Sequence, residues 1–358
     1  MPENPAVPPL CAGNTGKDGR MDAVAALNEI AFWLERGRAA TFKVQAFRKA
    51  AAAIGPLGPD EVAARARTGR LKSMKGIGDR TYAVIRQAVD GQVPDYLADL
   101  REKGAQPLAS GGADLRAALR GDLHSHSEWS DGGSPIELMV AAAEVLGREY
   151  VALTDHSPNL TIANGLSAER LLKQLDVVAG INSNGGATRL LTGIEVDILE
   201  SGGLDQEPEL LERLDIVVAS VHSKLRADRK TMTTRMLGGI QDPQTNVLGH
   251  CTGRLVEGSR GTRPPSEFDA KEVFAACAEH NVAVEINSRP ERQDPPDALI
   301  QLALEAGCLF SIDSDAHAPG QLDFLQYGAE RAARNDVPAE RIITTWPVEK
   351  LLAWAGGK

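Results

Sequence analysis

The stretch GDLHSHSEWSDG, residues 121–132, decides how the rest of the chain is read. It places two of the chain's seven histidines two positions apart and follows them with an Asp-Gly turn. Residues i and i+2 of a strand project from one face, so His124 and His126 would enter the same space. The arrangement recurs downstream, each time at an apolar run of strand type. YVALTDH ends in His156, RLLTGIEVDI contains Glu195, and DIVVASVH ends in His222. NVLGHCTGR holds His250, and CLFSIDSDAH ends in Asp315 and His317. VAVEINSR is a further run without a histidine. His280, in KEVFAACAEHN, falls outside the pattern and reads as a helix-face residue near a C-terminus, where positive charge suits the dipole.

Helical patterns separate these runs, at 135–146, 167–180, 267–280 and 297–306. Strand and helix in alternation predict a parallel sheet. Donors at the end of nearly every strand predict a closed barrel with its site on that face. An open doubly wound sheet would gather its site at one switch point instead. The expected fold is therefore α/β, a distorted (β/α)7 barrel over 119–358.

Imidazole and carboxylate without thiolate suit Zn²⁺, Mn²⁺ or Fe²⁺. Nine such donors exceed what one ion takes and predict two or three divalent ions. Clustered divalent ions are what phosphoester hydrolysis uses. Asp131 reads as a ligand or as a turn residue of SDGG. Asp122, Asp155 and Asp197 read as supports for ligands or caps. Arg254 is a candidate for the substrate phosphate, or else a member of a surface ion pair; Lys224 and Arg289 stand behind it. Trp129 would stack on a base or pack under its loop.

The ordered set HxH, SDG, TDH, GIE, SVHS, GHxTGR and SDAH resembles the PHP (polymerase and histidinol phosphatase) superfamily over about 119–356. MTTRMLGGIQDPQTNVLGHCTGRL and VEINSRPER narrow the resemblance to the PHP domain of bacterial family X DNA polymerases. By that resemblance the metal ligands are His124, His126, Asp131, His156, Glu195, His222, His250, Asp315 and His317. Asp315 and His317 are also expected, with Arg254, to take part in catalysis.

With 358 residues the chain has room for two domains. No run of eighteen apolar residues is present, so no membrane partner is expected. Residues 1–20 lack a basic segment followed by an apolar one and read as a disordered tail without a secretory signal. Cys11, Cys251, Cys277 and Cys308 are scattered, which suits a reducing cytoplasm rather than a disulfide framework. Charge is uneven: residues 20–103 hold 15 Lys and Arg against 10 Asp and Glu, and 104–358 hold 23 against 37. A basic module before an acidic body predicts a polyanion-binding appendage, unless the bias is accidental.

In the basic module, Val24, Leu27, Ile30, Ala31 and Leu34 form an apolar stripe at helical spacing. A second helix runs from about Phe42 to Ile54, stopped by Gly-Pro pairs. Gly76-Ile77-Gly78 reads as a tight hairpin before a helix starting near Asp79 that turns Tyr82, Ile85 and Ala88 inward. Glycines there let backbone N–H groups approach a phosphate, with Lys75 and Arg80 alongside; a plain αα-hairpin would need the same glycines. FKVQAFRKAAAAI and MKGIGDRTYAVI resemble the N-terminal domain of family X polymerases and its helix-hairpin-helix motif. The resemblance implies sequence-nonspecific contact with the DNA backbone through Lys43, Lys75, Gly76, Gly78 and Arg80. It departs from the family at Phe47, where tyrosine is common, and at Val84, where the lyase lysine would stand. Lyase chemistry through a Schiff base needs an amine, so none is expected.

The expected plan is a tail (1–20), a helical domain (21–105), a linker (106–118) without polymerase palm and fingers, and a barrel (119–358). The expected function is metal-dependent phosphoester hydrolysis on DNA, of the 3′–5′ exonuclease or 3′-end-processing type in repair. The alternatives are a small-molecule phosphatase such as histidinol-phosphate phosphatase, and a non-enzymatic DNA-binding accessory. No protein partner can be inferred.

Overall fold

The computed structural model describes residues 21–258 and 261–357; the tail expected over 1–20 lies outside them. The chain divides into two compact units, 1–107 with 319–321, and 108–318 with 322–358.

The first unit is helical: α1 (Ala23–Arg36), α2 (Thr41–Ile54), α3 (Pro59–Arg67), α4 (Asp79–Val89) and α5 (Asp95–Gly104). Asp22 caps α1 by accepting from the Ala25 N–H at 2.8 Å. The apolar stripe expected on α1 proves too narrow. The helix packs against α2, α4 and α5, so Glu29, Trp33 and Glu35 are buried as well. Glu29 is matched by the Arg101 guanidinium of α5 at 2.6 and 2.8 Å. In the hairpin, a single 3₁₀ turn (Arg70–Ser73) precedes Gly76, whose φ of +96° needs glycine. Gly78 then caps α4, which buries Thr81, Val84, Ile85 and Ala88, while Tyr82 stays half-buried.

The second unit starts earlier than the sequence suggests. From Leu108 the expected linker is strapped to the barrel, because its backbone donors find side-chain acceptors there. The Leu108 N–H donates to Gln326 Oε1 at 2.9 Å. Ser110 and Gly111 donate to Glu330 Oε1 at 2.9–3.1 Å. A short helix, α6 (Ala113–Ala118), follows before the first strand.

Strands and helices then alternate: β1 (Gly121–Asp122), α7 (Ile136–Val145), β2 (Tyr150–Leu153), α8 (Ala168–Ser183), β3 (Arg189–Asp197), α9 (Pro208–Leu211) and β4 (Ile216–Ser220). α10 (Arg229–Gln241), β5 (Val247–Leu248), α11 (Ala270–Glu279), β6 (Ala283–Asn287), α12 (Asp297–Glu305), β7 (Phe310–Asp313), α13 (Leu325–Arg334) and α14 (Val348–Ala355) complete the unit. Helix α6 packs on α13, where Arg116 binds Asp323 at 2.8 Å.

The seven strands are parallel and stand in sequence order. They form a nearly closed barrel. At the seam, Ser125 bridges Ala316. Leu123 N–H donates to Asp313 Oδ1 at 2.9 Å and Ser314 N–H to Asp122 Oδ1 at 3.1 Å. Two carboxylates thus stand in for ladder bonds. Strand period sorts the core. Ile216 and Val218 of β4 join the inner layer with Tyr150, Ala152, Leu191 and Val247. Val217 and Ala219 join the outer layer with Phe274 and Phe310. Burial on both faces is what a parallel sheet wrapped in helices requires. Among the described residues no helix is long and apolar enough to cross a membrane.

Candidate metal centre

At the C-terminal ends of the strands the apolar residues give way to donors. His124 and His126 lie beyond β1, on either side of the Ser125–Ala316 bridge, are fully buried, and have rings 5.1 Å apart. The loop after β1 turns over residues 128–131 and presents Asp131, its side chain 37% exposed. His156 follows β2, His222 follows β4 and His250 follows β5. Glu195 lies inside β3, 1% exposed. Asp315 and His317 follow β7. Asp315 has φ +51°, a left-handed backbone that costs a non-glycine residue about 1 kcal/mol.

All nine expected residues meet in one cup. Their donor atoms fall into four overlapping groups, each with its atoms within 4.8 Å of one another. These are His126–Asp131–His156–His317, His124–His126–Asp315, His124–Glu195–His250 and His156–Glu195–His222. Glu195 stands between them. Its Oε1 is 2.8 Å from His250 Nε2 and 3.1 Å from His222 Nε2. Its Oε2 is 2.8 Å from His156 Nδ1 and 3.3 Å from His124 Nε2. Asp131 Oδ1 is 3.5 Å from His156 and 3.3 Å from His317.

The atoms fit a metal better than they fit one another. Two donors held tetrahedrally on one ion at about 2.1 Å lie about 3.4 Å apart. His124 Nε2, both nitrogens of His126, His222 and His250, and both Glu195 oxygens are buried without a hydrogen bond. Buried polar atoms are ordinarily satisfied, so this many orphans facing one space call for cations. Four overlapping groups sharing Glu195, His124, His126 and His156 fit two or three ions. Burial and the neighbouring His317 and His156 push His126 down to about 3, leaving one ring nitrogen free to accept. Against the cost of burial, the Glu195 carboxylate pulls His124 and His222 up, and His156 up to about 10, so the cup draws positive charge. Against the cost of burial, the surrounding imidazoles hold Glu195 well below the usual carboxylate range. Arg292 does the same for Asp315.

A supporting layer orients the donors. Asp197 Oδ1 accepts from the His222 N–H at 3.1 Å, and its Oδ2 from Asn159 at 2.8 Å. Asp122 accepts from the His124 N–H at 3.2 Å. Asp155 meets a donor residue only through its backbone carbonyl, which accepts from the Glu195 N–H at 3.3 Å. Its carboxylate holds the loop after β1 through Ser127 and Ser130, which explains the serines there, and ties it to Gln174 of α8. Trp129 packs against the outer core.

Three contributors escaped sequence reading, all from the run without a histidine and the turn after it. Glu285 Oε1 lies 2.6 Å from His124 Nδ1; a carboxylate only accepts, so Nδ1 carries the proton and Nε2 faces the cup. Glu285 Oε2 accepts from the His250 N–H and from Asn287. Asn287 also donates to Asp315 at 3.0 Å. Arg292 Nε is 3.0 Å from Asp315 Oδ2. Their signal was Glu285 itself, a carboxylate inside an apolar strand. Arg289 reaches His317 Nδ1 at 2.9 Å. Arg254 is not brought into the cup: its Nε donates to the Arg292 and Gln293 carbonyls at 3.1 and 3.0 Å. Its guanidinium holds that turn, despite its proximity to His250 in sequence.

In the helical unit, Lys43, Lys75, Gly76, Gly78 and Arg80 are all exposed. The Gly78 N–H is taken by Thr81 Oγ1 at 2.9 Å and that of Ile77 by the Met74 carbonyl at 3.1 Å. Beyond these two engaged amides, the first turn of α4 presents N–H groups that no carbonyl of its own helix reaches. Arg80 lies over Tyr96 at 5.3 Å, and Tyr96 stacks on Phe47 at 5.6 Å. Val84 is 2% exposed, a core residue.

Comparison with known proteins agrees with both units. Residues 122–289 match the family model of the PHP domain, and residues 19–93 that of a helix-hairpin-helix domain. The chain is 34% identical over 225 residues to the DNA polymerase/3′-5′ exonuclease PolX of Bacillus subtilis (strain 168), covering 63% of this chain and 39% of that protein. It is 27% identical over 237 residues to the probable phosphatase YcdX of Escherichia coli O139:H28, covering 63% of this chain and 90% of the relative. Among solved structures, the histidinol phosphate phosphatase of Lactococcus lactis, complexed with zinc, L-histidinol and phosphate, aligns at a TM-score of 0.41 and 16% identity. That alignment covers 66% of this chain and 94% of the other. The chain carries a PHP domain, matched over residues 122–289, preceded by a helix-hairpin-helix domain, matched over residues 19–93.

Proposed function

We propose that this protein hydrolyses phosphodiester bonds at DNA ends, as a 3′–5′ exonuclease or 3′-end-processing enzyme in repair, in a reducing cytoplasm. The observation that carries the reading is the pairing of a nine-donor cup with a basic helix-hairpin-helix unit. A small-molecule phosphatase has no use for the second part. The likeness to PolX supports the DNA substrate, although this chain spans 39% of that protein's length.

The nine residues His124, His126, Asp131, His156, Glu195, His222, His250, Asp315 and His317 would hold the ions, Mn²⁺, Zn²⁺ or Fe²⁺. Such ions supply Lewis acidity toward the phosphoryl oxygens and a hydrolytic water at neutral pH. The chain's own part is orientation. Glu285 fixes the tautomer of His124. Asn287 and Arg292 hold Asp315. Arg289 sits beside His317 at the open side of the cup, where it can meet a substrate phosphate. Lys43, Lys75, Arg80 and the first turn of α4 would grip the backbone without reading sequence.

A second reading is small-ester hydrolysis, favoured by one observation: the match to YcdX spans 90% of that probable phosphatase. One experiment separates the two. The Mn²⁺- or Zn²⁺-loaded protein is assayed on labelled single-stranded and gapped DNA and on histidinol phosphate. Metal removal with EDTA and His124→Ala are each expected to lower DNA cleavage by at least about 10³-fold. Turnover of histidinol phosphate alone would overturn the DNA reading.

A further inference from the structure

The rim of the cup is divided by charge. The loops after β1, β2 and β3 (123–135, 154–167 and 198–207) carry six carboxylates and no lysine or arginine. The loops after β4, β5 and β6 (221–228, 249–269 and 288–296) carry Lys224, Arg226, Arg254, Arg263, Arg289 and Arg292 among their described residues, against Asp228, Glu257, Glu267, Asp269, Glu291 and Asp294, so this side is balanced where the other is wholly acidic. Strands in sequence order make these three loops neighbours on one arc. Several acids of that arc are already engaged. Asp228 and Asp269 cap α10 and α11, and Asp294 binds Thr252 at 2.8 Å. Arg289 and Arg292 point inward, onto His317 and Asp315. Lys224 and Arg226 are exposed on the outer lip.

That lip is built rather than loose. The Ser223 carbonyl accepts from Arg235 Nη1 at 2.7 Å and the Leu225 carbonyl from Ser266 Oγ at 2.8 Å. The Ala227 N–H closes a turn on the Lys224 carbonyl at 2.9 Å. Leu225 packs into the outer core, so its two basic neighbours are left facing solvent. Lys224 is held at φ +52°, a conformation lysine adopts only where its surroundings impose it.

We propose that Lys224 and Arg226 form a phosphate track, so that a nucleic-acid strand lies over the β4–β6 arc and is repelled from the carboxylate arc of β1–β3. The proposal rests on the DNA reading above and deepens it by fixing the side from which the strand approaches. A monoester with a single phosphate, already seated in the cup, has nothing to place on this lip.

The test compares Lys224→Asn/Arg226→Gln with Glu200→Gln/Glu207→Gln in the full-length, metal-loaded protein. Asn tolerates the left-handed backbone at 224, and unchanged thermal melting confirms the fold. kcat/KM is measured on an oligothymidylate and on p-nitrophenyl phosphate over a range of salt. The basic-side pair is expected to lower the oligonucleotide-to-monoester ratio about tenfold and to flatten the log–log salt slope by about 1.4, two contacts at about 0.7 each. The acid-side pair is expected to leave the ratio equal or higher. An unchanged ratio and slope in the basic-side pair, or an equal fall in the acid-side pair, overturns the track while leaving the DNA reading standing. Wild-type protein that hydrolyses p-nitrophenyl phosphate but no oligonucleotide overturns the DNA reading and the track together.

Discussion

Glu285 accepts from three donors at once: His124 Nδ1, the His250 N–H and Asn287 Nδ2. Glutamine offers one oxygen in place of two, so Glu285→Gln must set an NH₂ group against either the His124 N–H or the His250 N–H. The expected result is a loss of metal affinity of about 10- to 100-fold, read by titrating the apo protein with Mn²⁺ or Zn²⁺. A purely structural role would lower the melting temperature and leave affinity unchanged. The nine donors themselves were legible because histidine is scarce and strand ends are easy to mark. Glu285 was not, because a lone in-strand glutamate resembles any solvent-facing one until both faces of the strand are known to be buried. Arg254 misled for a related reason: four residues from His250 in sequence says nothing about which carbonyls its guanidinium meets.

At the scale of elements, the helical unit turns on a buried pair. Glu29 on α1 is fully buried and bound by Arg101 of α5 through two hydrogen bonds. Arg101→Met would strand a buried carboxylate, and is expected to destabilise this unit by about 3–5 kcal/mol. Glu29→Gln/Arg101→Met should recover much of that loss in a denaturant titration. The strap before β1 makes a second case. Glu330→Ala removes the acceptor of three donors in Ser110 and Gly111, so the amide exchange of those residues should quicken by at least about tenfold, given about 1 kcal/mol or more for each bond to a charged group. An unchanged exchange rate would show that α6 alone holds the strap. Composition hid this strap: GAQPLASGGADL has the small and polar residues of a linker, and only the acceptors on α13 make it part of the barrel. The alternation of strand and helix was legible throughout, since both periods are local. The all-round burial of α1 was not, since it depends on three helices closing over its polar side.

Over the whole molecule, the DNA reading proposed above assigns the holding of a strand to the basic helical unit and its cutting to the acidic barrel. Lys43, Lys75 and Arg80 are exposed and beside the α4 N-terminus or on α2. The barrel rim holds the nine donors and, on its outer lip, the exposed Lys224 and Arg226. Two modest grips on one strand act as one strong grip, because binding the first raises the local concentration of the second site. That gain exists only for a substrate long enough to reach both. Lys43→Gln/Lys75→Gln/Arg80→Gln is therefore expected to raise KM for a long gapped DNA by at least about tenfold, while changing KM for a tetranucleotide by no more than about twofold. The difference should shrink as salt rises, because salt screens the same charge–phosphate attraction that the three substitutions remove. Equal effects on the long and the short substrate would mean that the barrel alone sets affinity, and that the helix-hairpin-helix unit serves something other than the DNA being cut.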